Sequence, residues 1–509
     1  MTTPFYVTTP LYYPNADPHL GSAYTTTVAD MLVRWHRASG EETLFLTGID
    51  EHGEKMAQTA AAQGVDPRTF VDRMAPRFRD RWRELGLRPD RFLRTTDADH
   101  VRAVQHFWQT IYDRGEVEFR DYTGLYCVGC EAFMTPSELE NGRCPHHDRA
   151  PEERSEGNYF FRMSDHFDWL RAELDAEPER ITPARFKNEV LGMIAEGALS
   201  DLCITRPVSR LSWGVPAPWD EGYVLYVWAD ALVNYLTGAG YPDDPAWERR
   251  WTGVHHLIGK DILKAHGVFW PTMLHATGIP IYRGLHVHGH WVLAGRKISK
   301  SAGSLVDALG LRSRYGFEAL RYYMLREMPY GLDTEFSEEG LVRCLNADLA
   351  NGLGNLASRV LGMVERYLDG RVPETNARET PGALGGAVAE AFEAMGEALA
   401  RTSSRDALAT LWGVIAEANR FVEANAPWKL ARDPGRRVEL HSVLYEALEA
   451  LRQIACLLEP FLPETSAAIL ERLGVGAPLP FDRALRWGGL PAGARVSKGE
   501  PLFPRVEEA

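Results

Sequence analysis

The amino-terminal part of the chain alternates short apolar runs with amphipathic stretches. The run PFYVTTPLYY, which starts at Pro4, has the composition of a buried strand, and residues 20–39 then repeat apolar positions at helical spacing. A second strand (ETLFLTGID) and a second helix over residues 54–63 follow. Strand, helix, strand and helix at this spacing predict a parallel α/β sheet, which binds ligands beyond the carboxyl ends of its strands. His19 and Asp50 each come just after a predicted strand, so we expect them to share one crevice.

The middle of the chain interrupts this pattern. The segment from about Gly115 to Gly222 is rich in glycine, proline and charge, and the α/β pattern resumes after Tyr223 with HHLIGKDILKAHGVFWPTML and RGLHVHGHWVLAG. We therefore predict that an insertion splits the sheet domain in two.

After about Arg343 the pattern is helical throughout. Five apolar residues recur at steps of three and four, as one buried helix face requires: Leu353, Leu356, Val360, Met363 and Tyr367. The sequence thus predicts a sheet domain in two halves, 1–116 and 226–277, an insertion at 117–225, a region with a basic loop at 278–345, and a helix bundle at 346–509.

The composition is that of a soluble, multidomain globular protein, with 45% hydrophobic and 25% charged residues over 509 residues. A net charge of −14 argues against a protein that coats nucleic acid without specificity. Neither a leader pattern nor about 18 consecutive apolar residues is found, so we expect a cytoplasmic protein with no membrane attachment.

Two short cysteine-bearing motifs lie inside the predicted insertion. CVGC and CPHH form a C-x2-C…C-x2-H arrangement, in which each pair of side chains converges on one metal ion. Thiolate ligands favour zinc, and four protein ligands leave no open position for water, so the sequence predicts one structural Zn²⁺. The predicted ligands are Cys127, Cys130, Cys144 and His147, with His146 as the competing histidine and a disulfide as the alternative use of the cysteines.

Two further motifs carry residue types that handle phosphate. In NADPHLGSAYTTT, His19 and Gly21 lie where a strand passes into a helix, and in GRKISKSAGS, Lys297 and Lys300 lie three residues apart in a loop rich in glycine and serine. Lysines on such a loop can neutralise the charge that builds up during in-line attack on phosphorus.

These two motifs together resemble the H-I-G-H and K-M-S-K-S signatures of the class I aminoacyl-tRNA synthetases, and the chain as a whole resembles the methionyl-tRNA synthetases of the bacterial type with one zinc knuckle pair. The matching pieces follow one another along nearly the whole chain: YVTTPLYYPN, FLTGIDEHG, YCVGCEAF, EGNYFFRM, WGVPAPWD, YVWADALVNYL, HLIGKDILKAHGVFWPTML, KISKS, ALRYYMLRE, NADLANGLGNLASR and ANAPWKL. The resemblance implies a Rossmann-like catalytic domain split by a zinc-bearing insertion, a stem-contact region with the KISKS loop, and an all-α anticodon-binding bundle.

The implied reaction has two steps. The methionine carboxylate attacks the α-phosphate of ATP, which carries Mg²⁺, and the methionyl group then passes to the terminal adenosine of tRNA(Met), with the initiator and elongator forms as the expected partners. Catalysis is assigned to His19, Lys297 and Lys300, and ATP binding to these residues with Gly21, Ser22, Lys260 and Asp261. Ser22 stands where the family signature usually has a second histidine, and serine brings a hydrogen-bond donor without a charge.

The resemblance also assigns the amino-acid pocket and the anticodon reader. The methionine ligands would be Pro10, Leu11, Tyr13, Asp50, Trp228, Ala231, Tyr235, Ile262 and His266, with Asp50 facing the ammonium group. Trp228, Ala231 and Tyr235 step by three and four, so we expect one helix face to carry them. The anticodon would be read by Asn355, Arg359 and Trp428, by stacking and hydrogen bonding.

Other functions remain open at this point. A catalytically inactive tRNA-binding paralogue would share the fold, and the valyl, isoleucyl and leucyl enzymes share both signatures but carry a larger editing insertion. A cysteinyl enzyme would hold its zinc beside the amino acid, and a simple nucleotidyltransferase would not need the carboxyl-terminal bundle. We further expect a monomer.

Overall fold

The computed structural model describes residues 3–15, 17–127, 132–134, 139–145, 148–195, 199–293, 296–297, 306–476 and 479–507. The chain forms two compact units. The first comprises residues 1–18 and 43–289, and the second comprises residues 19–42 and 290–509.

The amino-terminal elements lie where the hydrophobic pattern predicts them. They are strand β1 (Phe5–Tyr12), helix α1 (Leu20–Ala38), strand β2 (Thr43–Ile49) and helix α2 (Glu54–Ala62). β1 and β2 belong to the first unit, whereas α1, which connects them in the chain, belongs to the second.

The first unit is built around a six-stranded parallel sheet with the strand order β3 (Arg91–Arg94), β2, β1, β12 (Val254–Gly259), β13 (Gly284–His288), β7 (Ile181–Thr182). The strand order runs outward in opposite directions from β1 and β12, so the sheet has its topological switch point between these two strands. The other strands of the first unit are β4 (Val117–Cys127), β5 (Ala132–Met134), β6 (Glu152–Phe161), β8 (Leu202–Cys203), β9 (Thr205–Pro207), β10 (Pro216–Ala217) and β11 (Asp220–Leu225).

Two antiparallel sheets lie within the stretch that the sequence predicts as an insertion, and the same stretch contributes β7 to the parallel sheet. One has the order β5, β4, β6, β8 and the other the order β10, β11, β9. The helices of this unit are α3 (Pro67–Glu84), α4 (Ala98–Asp113), α5 (Phe167–Ala176), α6 (Ala184–Ala195), α7 (Val227–Ala231), α8 (Asn234–Ala239), α9 (Trp247–Trp251) and α10 (Trp270–Thr277), with a 3-10 turn at Lys260–Ile262 and a π-helical turn at Ala265–Phe269. A continuous apolar core joins strands of the parallel sheet to helices α4 to α10.

The second unit is mainly helical. Its strands are β14 (Trp291–Leu293), β15 (Arg296–Lys297) and β16 (Thr334–Glu335), in the order β15, β14, β16. After α1 its helices are α11 (Ala308–Tyr315), α12 (Phe317–Glu327), α13 (Glu338–Cys344), a π-helical stretch at Leu345–Gly354, α14 (Asn355–Leu368), α15 (Ala383–Ala400), α16 (Ser404–Asn425), α17 (Pro427–Leu430), α18 (Arg437–Leu458), α19 (Pro463–Arg472) and α20 (Phe481–Ala484).

The buried face of α14 differs in part from the predicted one. Leu356 and Val360 are buried as expected, but Met363 and Tyr367 lie at the border of the face, and Val364 is buried in their place. The buried face is wider than one row of residues spaced three and four apart, so residues beside that row also enter the core.

A buried ion cluster ties α1 to the rest of the second unit. The guanidinium of Arg321, which is fully buried, lies 2.8 Å from the carboxylate of Asp30 and donates to the carbonyl oxygens of Pro460 and Phe461. Burial opposes the charge of Asp30, but Arg321 and Arg34 outweigh it and hold the pKa of the Asp30 carboxyl below its usual value.

The predicted fold class is confirmed, since a parallel α/β sheet is followed along the chain by a helical part. The finer division into five regions stays a prediction. No helix in the described part of the chain is both long and apolar enough to cross a membrane.

Candidate active site

Three predicted segments meet at one edge of the central sheet. Pro10 and Leu11 lie in the last three residues of β1, Asp50 directly follows β2, and the turn Lys260–Ile262 directly follows β12. Because β2, β1 and β12 are neighbours and run parallel, their carboxyl ends lie at the same edge, beside the switch point. The first unit therefore collects predicted methionine and ATP ligands in one place.

Asp50 is held at this edge by its backbone. Its N–H donates to the carbonyl oxygen of Tyr12 over 3.0 Å, and its side chain is only 5% exposed. A carboxylate at the end of a buried strand is a suitable partner for a substrate ammonium group, because burial strengthens the interaction between opposite charges.

Tyr235 and His266 form the best-defined polar pair of the predicted methionine pocket. Nδ1 of His266 lies 3.0 Å from the carbonyl oxygen of Ile262, which can only accept, so Nδ1 carries the proton. Burial lowers the pKa of His266 to about 4, and the neutral ring therefore accepts at Nε2 from the Tyr235 hydroxyl, 2.7 Å away. The indole of Trp228 meets the His266 ring edge to face, with the two centroids 6.0 Å apart.

The aromatic and apolar members of the pocket lie at the rim of the core. Leu11, Tyr13, Trp228 and Ile262 are partly buried and pack against the cluster that contains Tyr235. Apolar side chains with accessible surface beside a few fixed polar groups are typical of a small-molecule pocket.

The predicted single helix through Trp228, Ala231 and Tyr235 is wrong in one respect. The first two residues lie on α7 and the third on α8. The side-chain amide of Asn234 donates to the Ala231 carbonyl over 2.5 Å, so a side chain takes the acceptor that the backbone of a continuous helix would use.

His19 is the N-cap of α1 in the second unit. Its Nδ1 accepts from the backbone N–H groups of Gly21 and Ser22, at 3.0 and 3.4 Å. Because Nδ1 accepts, the proton of the neutral ring is on Nε2, which can donate to a phosphate oxygen. A Cβ at residue 21 would lie 2.9 Å from Cε1 of His19, so glycine is required there for the ring to fold back over the helix.

The hydroxyl of Ser22 donates to the carbonyl oxygen of His19 over 2.8 Å, so its hydrogen is used within the first turn of the helix. Of the two predicted catalytic lysines, only Lys297 belongs to the described residues. The backbone of Lys297 ends β15 and pairs with Val292 of β14, and Lys300 lies outside the described residues. Lys260 is half-buried and Asp261 exposed, both in the first unit.

The three predicted anticodon residues lie in the helical part of the second unit, and two of them are in contact. The guanidinium of Arg359 on α14 lies 5.6 Å from the ring centroid of Trp428 on α17 and 2.7 Å from the carboxylate of Glu423. Asn355 is exposed at the start of α14 and lies 3.5 Å from Asn419. The structure thus brings an indole and a planar cation together at the surface of the bundle.

Two of the four predicted zinc ligands can be located. Cys127 at the end of β4 and Cys144 come from different knuckles and pack with Met134 in one small buried cluster. Cys130, His146 and His147 lie outside the described residues. Within the ranges that the structure describes, no group of three or more potential ligands surrounds a common point.

Three buried polar residues are not among the site residues predicted from the sequence: Asp230, His52 and His100. The Asp230 carboxylate is fully buried and lies 2.6 Å from Nδ1 of His52 and 2.9 Å from Nε2 of His100. The sequence feature that could have predicted this cluster is the acidic residue between apolar residues in VWADAL, because a buried carboxylate needs partners.

Comparison with known proteins adds independent findings. The family model described as "tRNA synthetases class I (M)" matches residues 5–150 and 130–361, and the model "Anticodon binding domain of methionyl tRNA ligase" matches residues 372–509. A methionine–tRNA ligase of Caldanaerobacter subterraneus subsp. tengcongensis is 40% identical over 100% of this chain and 80% of its own length. That of Synechocystis sp. is 41% identical over 99% of this chain and 98% of its own length. A solved structure of Mycobacterium tuberculosis methionyl-tRNA synthetase in complex with methionyl-adenylate superimposes with a TM-score of 0.92 at 37% identity, covering 99% of this chain and 100% of that chain.

Proposed function

The chain belongs to the methionyl-tRNA synthetases of class I, which activate methionine with ATP and charge tRNA, and from that premise we propose which of its residues do the work. The edge of the sheet formed by β2, β1 and β12 holds L-methionine. Asp50 pairs with the ammonium group, while Tyr235, His266 and Trp228 line the side-chain pocket with Pro10, Leu11, Tyr13, Ala231 and Ile262. The unbranched, polarizable thioether suits such an aromatic lining.

His19 acts on ATP during activation. The methionine carboxylate attacks the α-phosphorus, the bond to the bridging oxygen breaks, and pyrophosphate leaves with the electron pair. Nε2 of His19 donates to a phosphate oxygen as negative charge builds up, beside the positive end of α1. Lys297 and Lys300 neutralise further charge from the KISKS loop, and Gly21, Ser22, Lys260 and Asp261 complete the ATP site. Mg²⁺ enters with ATP as part of the substrate.

One observation carries this assignment: Asp50, the Tyr235–His266 pair and the turn Lys260–Ile262 converge on the switch point of the parallel sheet. The direct test is methionine-dependent exchange of pyrophosphate into ATP. His19→Asn keeps a side-chain oxygen for capping the helix but removes the Nε2 donor, so the exchange rate should fall at least about a hundredfold while α1 stays folded.

The exposed His106 on α4 provides a control, and His106→Gln should leave the exchange rate within twofold. Wild-type protein without methionine-dependent exchange would leave the alternative of an inactive tRNA-binding paralogue. An unchanged rate in His19→Asn would remove His19 from the mechanism.

The helical part of the second unit reads the anticodon of tRNA(Met), in both the initiator and the elongator form. Trp428 and the guanidinium of Arg359 offer flat faces on which unpaired bases stack, and Asn355 supplies amide hydrogen bonds. Charging assays with each of the two tRNAs test this assignment. A protein that charges only one of the two forms would contradict it.

A structural Zn²⁺ fits the two buried thiols that come from different knuckles, Cys127 and Cys144, with Cys130 and His147 as the remaining ligands. Such an ion would fix the fold of the antiparallel insertion and take no part in the chemistry. We also place the protein in the cytoplasm, where its cysteine thiols remain reduced, and assign it a monomeric state. Light scattering should return the 57.1 kDa mass of one chain.

A further inference from the structure

Asp230 lies inside the wall of the methionine pocket without facing the substrate. It stands on α7 between Trp228 and Ala231, and its side chain is 0% exposed. Each carboxylate oxygen meets a different histidine, with Oδ2 2.6 Å from Nδ1 of His52 and Oδ1 2.9 Å from Nε2 of His100. Two hydrogen bonds to two rings fix both the position and the rotation of the carboxylate.

The two histidines come from different parts of the first unit. His52 follows Asp50 by two residues in the loop after β2, and its ring packs against Trp213 at 5.2 Å. The Trp213 indole in turn donates to the Glu51 carbonyl over 2.6 Å. Asp230 therefore connects the segment that carries Asp50 to the helix that carries Trp228.

His100 extends the connection to the next helix. It is fully buried on α4, and its Nδ1 lies 2.9 Å from the hydroxyl of Thr237 on α8, the helix that also carries Tyr235. The indole of Trp108, also on α4, donates to the Ala229 carbonyl of α7 over 2.7 Å. α7 and α8 are thus both held on α4 at defined points.

The charges around this group favour an ionised carboxylate. Burial alone would raise the pKa of Asp230, but His52 and His100 outweigh it and hold the pKa below its usual value. Glu51, the acid next to His52 in the chain, is bonded to Arg94 and Thr96, and burial raises the pKa of its carboxyl. A group of this kind is costly to bury unless its hydrogen bonds are all made.

From these contacts we propose that Asp230 is a positioning residue for methionine: through His52 and His100 it sets the separation between Asp50, which binds the ammonium group, and the aromatic wall on α7 and α8. The proposal rests on the assignment of the methionine pocket made above. It concerns a residue that touches no substrate, and it makes methionine affinity depend on a buried charge behind the pocket.

The test is Asp230→Asn, measured by pyrophosphate exchange after active-site titration. Asparagine has the same shape but can accept from only one histidine, and its amide would face the other ring. We expect the KM for methionine to rise at least tenfold, the KM for ATP to stay within threefold, and kcat to change less than the methionine KM. Discrimination against norleucine, which has the same length without sulfur, should weaken as the wall shifts.

Glu449→Gln provides a matched control. Glu449 is an equally buried carboxylate in the second unit, bonded to Arg452 and to the N–H groups of Gly489 and Leu490, and lies outside the machinery assigned here. Its loss should lower the temperature of unfolding and leave the KM for methionine unchanged. If Asp230→Asn behaves in the same way, or raises the KM for methionine and ATP equally, the proposal is overturned.

A second variant decides the question if Asp230→Asn does not fold. Thr237→Val removes the hydroxyl that holds Nδ1 of His100 and that also donates to the Val233 carbonyl, and we expect a rise of about threefold in the methionine KM at unchanged ATP KM. An unchanged methionine KM overturns the proposal. Failure of the proposed function would look different, because wild-type protein would then show no methionine-dependent exchange.

Discussion

The hydroxyl of Tyr235 donates to Nε2 of a histidine, His266, that burial keeps neutral, over 2.7 Å. The direction of this hydrogen bond follows from the other side of the ring, where Nδ1 donates to the Ile262 carbonyl. The position of the tyrosine hydroxyl therefore depends on which ring nitrogen of His266 carries the hydrogen.

Replacing Tyr235 by phenylalanine should raise the KM for methionine about tenfold. The ring remains, but Nε2 of His266 loses its donor inside the protein, at a cost of about 1–3 kcal/mol. Steady-state exchange kinetics measure the effect. The matched control is Tyr282→Phe, since the Tyr282 hydroxyl donates to the backbone carbonyl of the same His266 over 3.0 Å. A similar methionine KM in both variants would contradict the assigned role of Tyr235.

Replacing Trp428 by alanine should weaken tRNA binding without affecting methionine activation. Stacking of one base on an aromatic ring contributes about 1–3 kcal/mol, so the KM for tRNA should rise on the order of ten- to a hundredfold. Aminoacylation measures the first quantity and pyrophosphate exchange without tRNA the second. Trp428→Phe, which retains a flat ring, should recover most of the affinity, and equal losses in both variants would speak against stacking.

Removal of one buried thiol should remove the metal. Cys144→Ser is expected to lower the zinc content from about one ion per chain to near zero and to lower the stability of the insertion, because the ion contributes directly to folding. Elemental analysis of the purified protein measures this. Cys203, also buried but outside both knuckles, is the control, and Cys203→Ser should retain zinc. A wild-type chain free of zinc would refute the assignment.

Arg321→Met should lower the free energy of unfolding by about 3–5 kcal/mol, because the buried carboxylate of Asp30 loses a charged partner that water cannot replace. Chemical denaturation measures the loss. The control is Arg77→Met, which breaks an ion pair of 3.0 Å with Asp17 whose side chains are 54% and 40% exposed. That change should cost less than about 1 kcal/mol. Equal losses of unfolding free energy in the two variants would mean that burial does not determine how much the Arg321–Asp30 pair contributes to stability.

Stability should fall as the pH is lowered from about 6.5 toward 4. Burial lowers the pKa of His266 and of His286 to about 4, so in this window the unfolded chain takes up protons that the folded chain does not. Stability therefore rises with pH across the window. In His286→Gln the denaturation midpoint should rise less steeply with pH, because unfolding takes up as much as one proton fewer. Above pH 7 the curves of midpoint against pH for the variant and the wild type should run parallel. An unchanged slope below pH 6.5 would contradict the cause given.

Local patterns predict the elements well and the connections between them poorly. Apolar periodicity and turn residues place β1, α1, β2 and α2 nearly at their observed bounds, since these signals depend on neighbours in the chain. The contacts of Asp230 depend on residues 178 and 130 positions away, and no local pattern contains them. The break between α7 and α8 likewise depends on which acceptor the Asn234 side chain takes, which composition does not decide.

The placement of α1 in the second unit has a consequence for how the protein is made. Trp35 near the end of α1 is 6% exposed because it packs against Phe392 and Phe481, at centroid distances of 5.6 and 4.9 Å. At about 5–20 residues per second, a ribosome adds Phe481 roughly 20–90 s after Trp35. Until Phe392 is added the apolar face of the helix that His19 caps has neither of these partners, and it gains the second only with Phe481, so the nascent chain must be kept from aggregating over most of that interval.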